Sequence, residues 1–216
     1  MSGWVCGGLR DVVRQHVLGV QLAELVDERG AGRLRVLDVG CGQGTQSLKL
    51  ARAGHHVTGL DISEQLLGQF TEALNAETAE VRGRVRLIQG AGELAPDLVG
   101  GPFELVLCHG VLMYLDDITP MLSALSAVAA RDADLSLLVR NGLAPAMRDG
   151  LRGNWSATLT GFHSCDYTNR LGLPAHAHTP EMIDRVLQPL GWAAGAGRGC
   201  GSSPITATNR HPRARN

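Results

Sequence analysis

Lysine and aromatic residues are scarce in this chain of 216 residues. Lys49 is the only lysine among 20 basic residues, and Phe, Trp and Tyr together make up 4% of the sequence. Because 44% of the residues are hydrophobic, the chain can still form a sizeable core, which must be mainly aliphatic. The net charge of −1 gives no argument for a nucleic acid or a membrane surface as partner.

Long apolar runs and paired cysteines are also missing. No apolar stretch reaches the roughly 18 residues of a membrane span, and the N-terminus lacks the apolar core of a signal peptide. The five cysteines are scattered and contain no C-x-x-C pair, which predicts reduced thiols rather than disulfides or a zinc site. His176 and His178 lack a third ligand, so we expect surface residues and no metal. These absences favour a cytoplasmic protein without a membrane partner.

The stretch from Leu34 to Gly44, L-R-V-L-D-V-G-C-G-Q-G, organises the rest of the chain. Leu34–Val39 has the length and composition of a buried parallel strand, and Thr45–Ala53 predicts a helix. Glycine between them allows unusual backbone angles and a close approach to a ligand. A strand, a glycine turn and a helix predict a ligand-binding loop at the carboxyl end of the strand. The glycines are Gly40, Gly42 and Gly44.

The spacing of these glycines differs from that of dinucleotide-binding folds, which use G-x-G-x-x-G. Here the pattern is D-x-G-x-G-x-G, with Asp38 inside the end of the strand. A second acid, Asp61, ends the next predicted strand, where it can accept hydrogen bonds from both hydroxyls of a ribose. The alternative, a tight turn that binds no ligand, leaves an acid at that strand end unexplained.

Strand and helix patterns alternate through five predicted strands without an internal repeat. The later strands are expected at 57–60, 85–88, 103–108 and 135–139, and the main helices at 11–28, 63–76, 119–130 and 179–191. This order predicts an α/β fold: a Rossmann-like, doubly wound, mostly parallel sheet with helices on both faces. We predict one domain over residues 1–192. Residues 141–178 interrupt the alternation, and we interpret them as an insertion that closes over the site.

The glycine motif together with Asp61 resembles that of class I S-adenosylmethionine-dependent methyltransferases. Within that class, the chain resembles the bacterial tRNA uridine-5-carboxymethoxy methyltransferases, which O-methylate a carboxylate on a wobble uridine. The resemblance covers about residues 7–192. It depends on G-L-R at 8–10, the motif at 35–44, L-D-I-S at 60–63, L-V-L-C-H-G-V-L at 105–112, L-S-L-L-V-R-N at 135–141 and R-G-N-W at 152–155. It implies S-adenosyl-L-methionine as cofactor.

The resemblance also implies a set of cofactor-binding residues. Arg10 would contact the methionyl end of the cofactor, since guanidinium binds carboxylate well, and His109 would lie beside it. The alternatives are a solvated charge for Arg10 and a histidine bonded to backbone for His109. The loop after the third strand would lie over the adenine. The predicted cofactor-binding residues are Arg10, Asp38, Gly40, Cys41, Gly42, Gly44, Asp61, Ile62, Gly92, Glu93 and His109.

This family normally ends its sheet with two further strands, six and seven. Residues 193–216 instead contain four arginines and no acid, without a long alternating apolar segment. We therefore expect strands six and seven to be weak or missing, with weak pieces at 192–196 and 205–208. The rest is expected to be an irregular or disordered arginine-rich tail. A truncated or frame-shifted end is the alternative.

Two kinds of acceptor remain open for the methyl group. A carboxylate is already ionised near neutral pH and needs no base, only arginines to hold it. A hydroxyl needs a general base, for which His109 and His163 are the candidates. The arginine candidates are Arg140, Arg148, Arg152 and Arg170, and the predicted catalytic residues are His109 and Arg140.

Three functions follow from these alternatives: methylation of a tRNA carboxylate, methylation of a small molecule of secondary metabolism, and cofactor binding without catalysis. Residues 167–178 do not match the lysine-rich stretch expected of the tRNA enzymes. Residues 140–178 contain four arginines and two aspartates, and the resulting formal charge of +2 is too small to establish RNA binding. The sequence does not decide whether the methyl acceptor is tRNA or a small molecule. It also does not decide whether the protein is a monomer or a homodimer.

Overall fold

The computed structural model describes residues 8–30, 32–142, 144–168, 172–193, 197–199 and 205–210. The helices are α1 (Leu9–Glu28), α2 (Thr45–Arg52), α3 (Glu64–Asn75), α4 (Ala79–Arg82), α5 (Ala95–Leu98), α6 (Thr119–Val128), α7 (Ala144–Leu151), α8 (Trp155–His163) and α9 (Pro180–Leu187). The strands are β1 (Arg35–Val39), β2 (His56–Asp61), β3 (Val85–Gln89), β4 (Phe103–His109), β5 (Ala129–Val139), β6 (Asp166–Thr168), β7 (Pro174–His176), β8 (Gly197–Gly199) and β9 (Ile205–Arg210). Within these ranges, no helix is long and apolar enough to cross a membrane.

The main sheet has the strand order β3-β2-β1-β4-β5-β9-β8. Strands β1 to β5 are parallel, β9 is antiparallel to β5, and β8 is antiparallel to β9. The chain runs outward from β1 to β3 and then returns to place β4 on the other side of β1. Such a reversal opens a crevice at the carboxyl ends of the strands, where doubly wound sheets bind ligands. The predicted Rossmann-like, mostly parallel α/β sheet is confirmed.

Helices cover both faces of the sheet and bury a mainly aliphatic core, as the composition predicts. The face under α1 and α2 buries Leu18, Leu22, Leu25, Leu50, Val36, Leu105, Leu107 and Leu138. The face under α6 and α9 buries Leu37, Val39, Met121, Leu122, Leu125, Leu135, Leu137, Ile183, Leu187 and Trp192. Between α2 and α3, the fully buried ring of Phe70 packs with Leu48 and Cys41. This last cluster lies directly behind the glycine turn.

Strand β5 is longer than predicted, beginning at Ala129 rather than at 135. Residues 129–134, A-A-R-D-A-D, have little intrinsic strand preference. They nevertheless extend beside β4, with an irregular register between Phe103 and Leu105, so α6 ends at Val128 instead of 130. Pairing with a neighbouring strand has overridden local propensity here.

Near the N-terminal end of the described residues, helix α1 begins at Leu9 rather than at the predicted residue 11.

The predicted insertion, residues 141–178, leaves the sheet at the end of β5 and returns to the same place. It contains α7, α8 and an antiparallel hairpin of β6 and β7. On its return, the His178 amide donates to the Arg140 carbonyl at 2.9 Å, and the Gly142 amide donates to the His178 carbonyl at 3.0 Å. The insertion is therefore anchored at the carboxyl edge of the sheet, beside the predicted site.

The expected irregular tail needs correction at two places. Residues 197–199 and 205–210 are the strands β8 and β9. The whole of β9 pairs with β5, from Ile205 opposite Val139 to Arg210 opposite Asp134. Strand six, β8, is short at three residues, and the predicted weak piece at 192–196 lies largely outside the described residues. The I-T-A-T-N-R segment has too little apolar pattern to be recognised alone, and it becomes a strand because β5 offers it a free edge.

Candidate active site

The glycine turn after β1 has an unusual backbone conformation. Gly40, Gly42 and Gly44 have φ angles of +70°, +55° and +81°, a region that side-chain-bearing residues rarely adopt. The amides of Gly40 and Cys41 donate to the Leu60 carbonyl at 2.8 and 3.3 Å, which ties the turn to the end of β2. A Cβ atom built on Gly42 meets no described atom within 4 Å. The turn therefore presents its backbone to a space that a ligand can fill.

The Asp61 carboxylate lies against this turn. Its Oδ2 accepts the Gly42 amide at 2.8 Å, and its Oδ1 accepts the Ser63 amide at 2.8 Å. A carboxylate has about four lone-pair positions, so each oxygen keeps the capacity for a further donor. The sequence correctly places the acid of β2 beside the glycines of β1, and the remaining lone pairs suit the vicinal hydroxyls of a ribose.

Asp38 is buried at the end of β1. The Ser47 hydroxyl donates to its Oδ2 at 2.6 Å and so connects β1 to the first turn of α2. Burial raises the pKa of Asp38 to about 7; the charge of Asp61 acts in the same direction, and the Ser47 hydrogen bond opposes it. This contact holds the strand and the helix together on either side of the glycine turn. Sequence reasoning missed Ser47 because nothing in the helix pattern distinguishes it from a capping or surface serine.

Replacing Gly44 by alanine is expected to destabilise the fold by about 2–4 kcal/mol, the sum of left-handed backbone strain and overpacking. The new Cβ would lie 2.3 Å from Cε2 of the Phe70 ring, which is fully buried and has no room to move. The matched control is Gly42→Ala, which has the same backbone strain but an unobstructed Cβ and should cost about 1 kcal/mol. Urea denaturation measures both; equal losses would contradict the packing against Phe70.

Three other predicted cofactor-binding residues follow β2 and β3 at the same edge of the sheet. The Ile62 side chain is 73% exposed directly after Asp61, and its carbonyl accepts Gln89 Nε2 at 3.4 Å. Gly92 is buried, and a Cβ on it would lie 2.6 Å from both Met121 Cε and Val39 Cγ1. Glu93 follows it, partly buried in the same short 3-10 turn. An exposed apolar side chain and a turn that carries an acid thus lie at the same edge of the sheet as the glycines.

The two buried cysteines near the site are held as neutral thiols. Burial is the main cause that raises the pKa of the thiol of both Cys41 and Cys108, and the charge of Asp38 adds to it. Both thiols therefore stay protonated and act as small packing groups. Among the described residues, no group of three or more His, Cys, Asp or Glu side chains is placed to hold a metal ion.

Several predicted residues cannot be compared with the structure. Arg10 lies in the first turn of α1, but its side chain is outside the described part, as are those of Arg148 and His163. Arg170 lies outside the described residues altogether. Arg152 is described and exposed, two residues before Asn154, the N-cap of α8. Of the arginine candidates, Arg140 is the one whose surroundings the structure gives in detail.

His109 ends β4, beside the glycine turn. The following chain touches that turn, since a Cβ on Gly40 would lie 2.2 Å from Val111 Cγ2. The Nε2 atom of His109 is 3.0 Å from the hydroxyl of Ser136 on β5. Burial lowers the pKa of His109 to about 4, although bonding to Ser136 opposes the shift, so the imidazole is neutral near pH 7. Ser136 contacts this histidine through its hydroxyl, and a hydrogen bond to the Ser136 backbone also acts on the imidazole, so the alternative of a backbone-bonded histidine stays open.

Arg140 follows β5, two residues beyond Leu138, which pairs with His109. Its guanidinium carbon lies 4.2 Å from the centroid of the Tyr167 ring, in the range of a cation–π contact. Its Nε is buried and has no hydrogen-bond partner among the described residues. The Tyr167 hydroxyl donates to Met113 Sδ at 3.6 Å, so β6 of the insertion bridges from Arg140 to the segment after β4. Histidine and arginine thus lie at the ends of adjacent strands.

The two histidines near the end of the insertion differ from each other. His176 is partly exposed and lies between Asp166 Oδ1 and Asp116 Oδ1, at 2.7 and 3.2 Å from its two ring nitrogens. These contacts, chiefly that with Asp166, raise the pKa of His176. His178 is buried, which corrects the expectation that both are surface residues. It is buried because its backbone is bonded to Arg140 and Gly142 at the sheet edge.

Comparisons with known proteins agree with this geometry. A family model described as "Methyltransferase domain" matches residues 36–132. The chain is 28% identical over 188 residues to the tRNA 5-carboxymethoxyuridine methyltransferase of Escherichia coli (strain K12), covering 87% of this chain and 70% of that protein. It is 32% identical over 127 residues to the magnesium-protoporphyrin O-methyltransferase of Synechocystis, covering 58% and 53% of the two chains.

Solved structures show the same fold. Magnesium protoporphyrin IX methyltransferase from Synechocystis with bound SAH superposes with a TM-score of 0.74 at 22% identity, over 98% of this chain and 90% of that one. The glycopeptide N-methyltransferase MtfA with S-adenosylmethionine gives 0.67 at 17% identity, over 90% and 94%. The chain is therefore an S-adenosylmethionine-dependent methyltransferase. Its cofactor is S-adenosylmethionine, and the glycine turn with Asp61 suits that cofactor's adenosyl group.

Sequence reasoning missed three partners of the predicted residues: Ser47 beside Asp38, Ser136 beside His109, and Tyr167 beside Arg140. Ser136 left a signal, because it is a polar residue in the apolar run L-S-L-L-V of β5. Tyr167 is one of only two tyrosines in the chain, but its pairing with Arg140 depends on how the insertion folds back. Nothing in the local sequence indicated that the insertion folds back to place Tyr167 beside Arg140.

Proposed function

We propose that this methyltransferase esterifies a carboxylate of its acceptor. The observation that carries the proposal is Arg140, whose buried Nε has no partner among the described residues while its guanidinium is stacked on Tyr167. A buried donor without an acceptor costs about 1–3 kcal/mol, and a carboxylate supplies acceptors with the planar geometry that guanidinium matches. Arg140 would therefore hold the acceptor's carboxylate at the end of β5, beside His109.

The cofactor is proposed to lie along the glycine turn. Asp61 would accept the ribose hydroxyls, Ile62 and the Gly92–Glu93 turn would border the adenine, and Arg10 and His109 would face the methionyl end. When bound, S-adenosylmethionine supplies an electrophilic methyl group on a sulfonium sulfur. The protein's task is then to align the carboxylate with that methyl group at about 3–3.5 Å and to exclude water.

The environment of His109 favours a carboxylate acceptor over a hydroxyl. A general base works best when its pKa lies near the working pH, whereas burial lowers the pKa of His109 to about 4. Such an imidazole removes a hydroxyl proton poorly. A carboxylate, with an ordinary pKa of about 4, loses its proton to water before it binds. His109 is therefore proposed to line the site rather than to act as a base.

A tRNA-borne carboxylate is the first acceptor to test, because the Escherichia coli relative is named for 5-carboxymethoxyuridine in tRNA. A small apolar carboxylic acid is the second. It is favoured by large exposed apolar side chains on the α7–α8 part of the insertion, a surface that suits an apolar molecule better than a polyanion. These side chains are Met147, Leu151, Trp155, Leu159 and Phe162.

The chemical stability of the product tests the proposal. Labelled methyl is transferred from S-adenosylmethionine to tRNA from a strain that lacks carboxymethoxyuridine methylation, and in parallel to a pool of small apolar acids. We expect label that mild alkali releases as methanol, because a methyl ester is cleaved under conditions that leave ethers and N-methyl groups intact. Alkali-stable label would contradict carboxylate methylation, and label on only one pool would identify the acceptor class.

A further inference from the structure

Ser136 is a buried hydroxyl on a face of the sheet that is mainly aliphatic and also buries Asp134 and Asp38. It is fully buried, and the neighbouring side chains on this face include Leu105, Leu107 and Leu138 of the cluster under α1 and α2. Burying a hydroxyl in apolar surroundings is costly unless the group is hydrogen-bonded. The described contact of its Oγ is with Nε2 of His109 at 3.0 Å. A serine at this position is therefore explained by the histidine rather than by packing.

The parallel register of β4 and β5 brings these two side chains together. Ser136 lies opposite Leu107, and His109 lies opposite Leu138. Because alternate residues of a strand face the same side, the two are diagonal neighbours on one face of the sheet. The Ser136 hydroxyl on β5 approaches the imidazole from the neighbouring strand. The chain after His109 turns toward Gly40, the first glycine of the turn.

We propose that Ser136 is a positioning residue that fixes the His109 imidazole toward the methionyl end of the cofactor. The outer torsion of a histidine side chain is broad and roughly two-fold, so a ring without a partner takes up several orientations. The Ser136 hydroxyl selects one of them and leaves the other ring edge for the ligand. The imidazole is neutral near pH 7, since burial disfavours its charged form. The inference relies on the proposed place of His109 beside the cofactor.

A double-mutant cycle on cofactor binding tests this role without knowledge of the acceptor. Calorimetry with S-adenosylhomocysteine would compare the wild type, Ser136→Ala, His109→Ala and the double variant. We expect Ser136→Ala to weaken binding about fivefold, the effect of one neutral hydrogen bond, and to weaken it no further in the His109→Ala background. An equal effect of Ser136→Ala in both backgrounds would overturn the inference.

A second pair of variants separates positioning from packing. Threonine and valine have nearly the same shape and differ by one hydroxyl, so Ser136→Thr should bind S-adenosylhomocysteine more tightly than Ser136→Val, while urea denaturation shows how far each is destabilised. Equal affinities would overturn the role of the hydroxyl. Unchanged affinity of His109→Ala would overturn the place of His109, and the inference with it. Neither result depends on whether the product is an ester, so the proposed function fails or stands by its own experiment.

Discussion

Asp61→Ala is expected to weaken binding of S-adenosylhomocysteine by at least about 100-fold. Hydrogen bonds to a charged group contribute about 1.5–3 kcal/mol each, so losing two to ribose hydroxyls corresponds to about 3–6 kcal/mol. The substitution also releases the Gly42 and Ser63 amides, which Asp61 holds at 2.8 Å. Both effects act on the same turn, and isothermal titration calorimetry measures their sum.

Asp117→Ala is the matched control for this loss. Asp117 also accepts a backbone amide, that of Thr119 at 2.8 Å, but it lies at the start of α6 and outside the glycine turn. This variant should lose a comparable backbone hydrogen bond while its affinity for S-adenosylhomocysteine stays within about twofold of the wild type. Affinity retained by Asp61→Ala, or lost equally in both variants, would argue against the proposed ribose contact.

Arg140→Ala is expected to lower kcat/KM for ester formation by about 100-fold or more and to leave cofactor affinity unchanged. Charge-assisted bonds from a guanidinium to a carboxylate are worth about 1.5–3 kcal/mol each, and a bidentate pair makes two. Arg140 follows β5, which β4 separates from β1 and the glycine turn after it. Methyl transfer assays with the acceptor identified above, together with calorimetry, separate the two effects.

Arg152→Ala is the control for Arg140. It removes an exposed arginine of the same insertion and should change kcat/KM less than about twofold, the usual outcome for an exposed charge. Arg140→Lys should recover little activity, because an ammonium cannot reproduce the planar, bidentate geometry or the stacking on Tyr167. A loss of S-adenosylhomocysteine binding in Arg140→Ala would place this arginine at the cofactor instead of the acceptor.

Local sequence patterns were sufficient to predict most of the parallel strands and the edge of the sheet where Asp61 meets the glycine turn. β1, β2, β3 and β4 lie within about two residues of their predicted positions, because each is a short apolar run bounded by glycine or polar residues. Asp61 and the glycine turn meet because the carboxyl ends of neighbouring parallel strands share one edge. The extension of β5 to Ala129 and the strand β9 were missed, since both form by pairing with a distant edge rather than by propensity.

The sequence by itself determined the conformation of the turn: a chain that needs φ angles of +70°, +55° and +81° at alternate positions requires glycine at each. The sequence also determined that Asp38 and Asp61 lie near this turn, because each stands at or next to the carboxyl end of its strand. Only the tertiary structure decided the partners of His109 and Arg140. Ser136 is 27 residues from His109, and Tyr167 reaches Arg140 through an insertion that returns to its starting point. Such contacts depend on strand register and on the path of a long connection, neither of which is encoded in a local pattern.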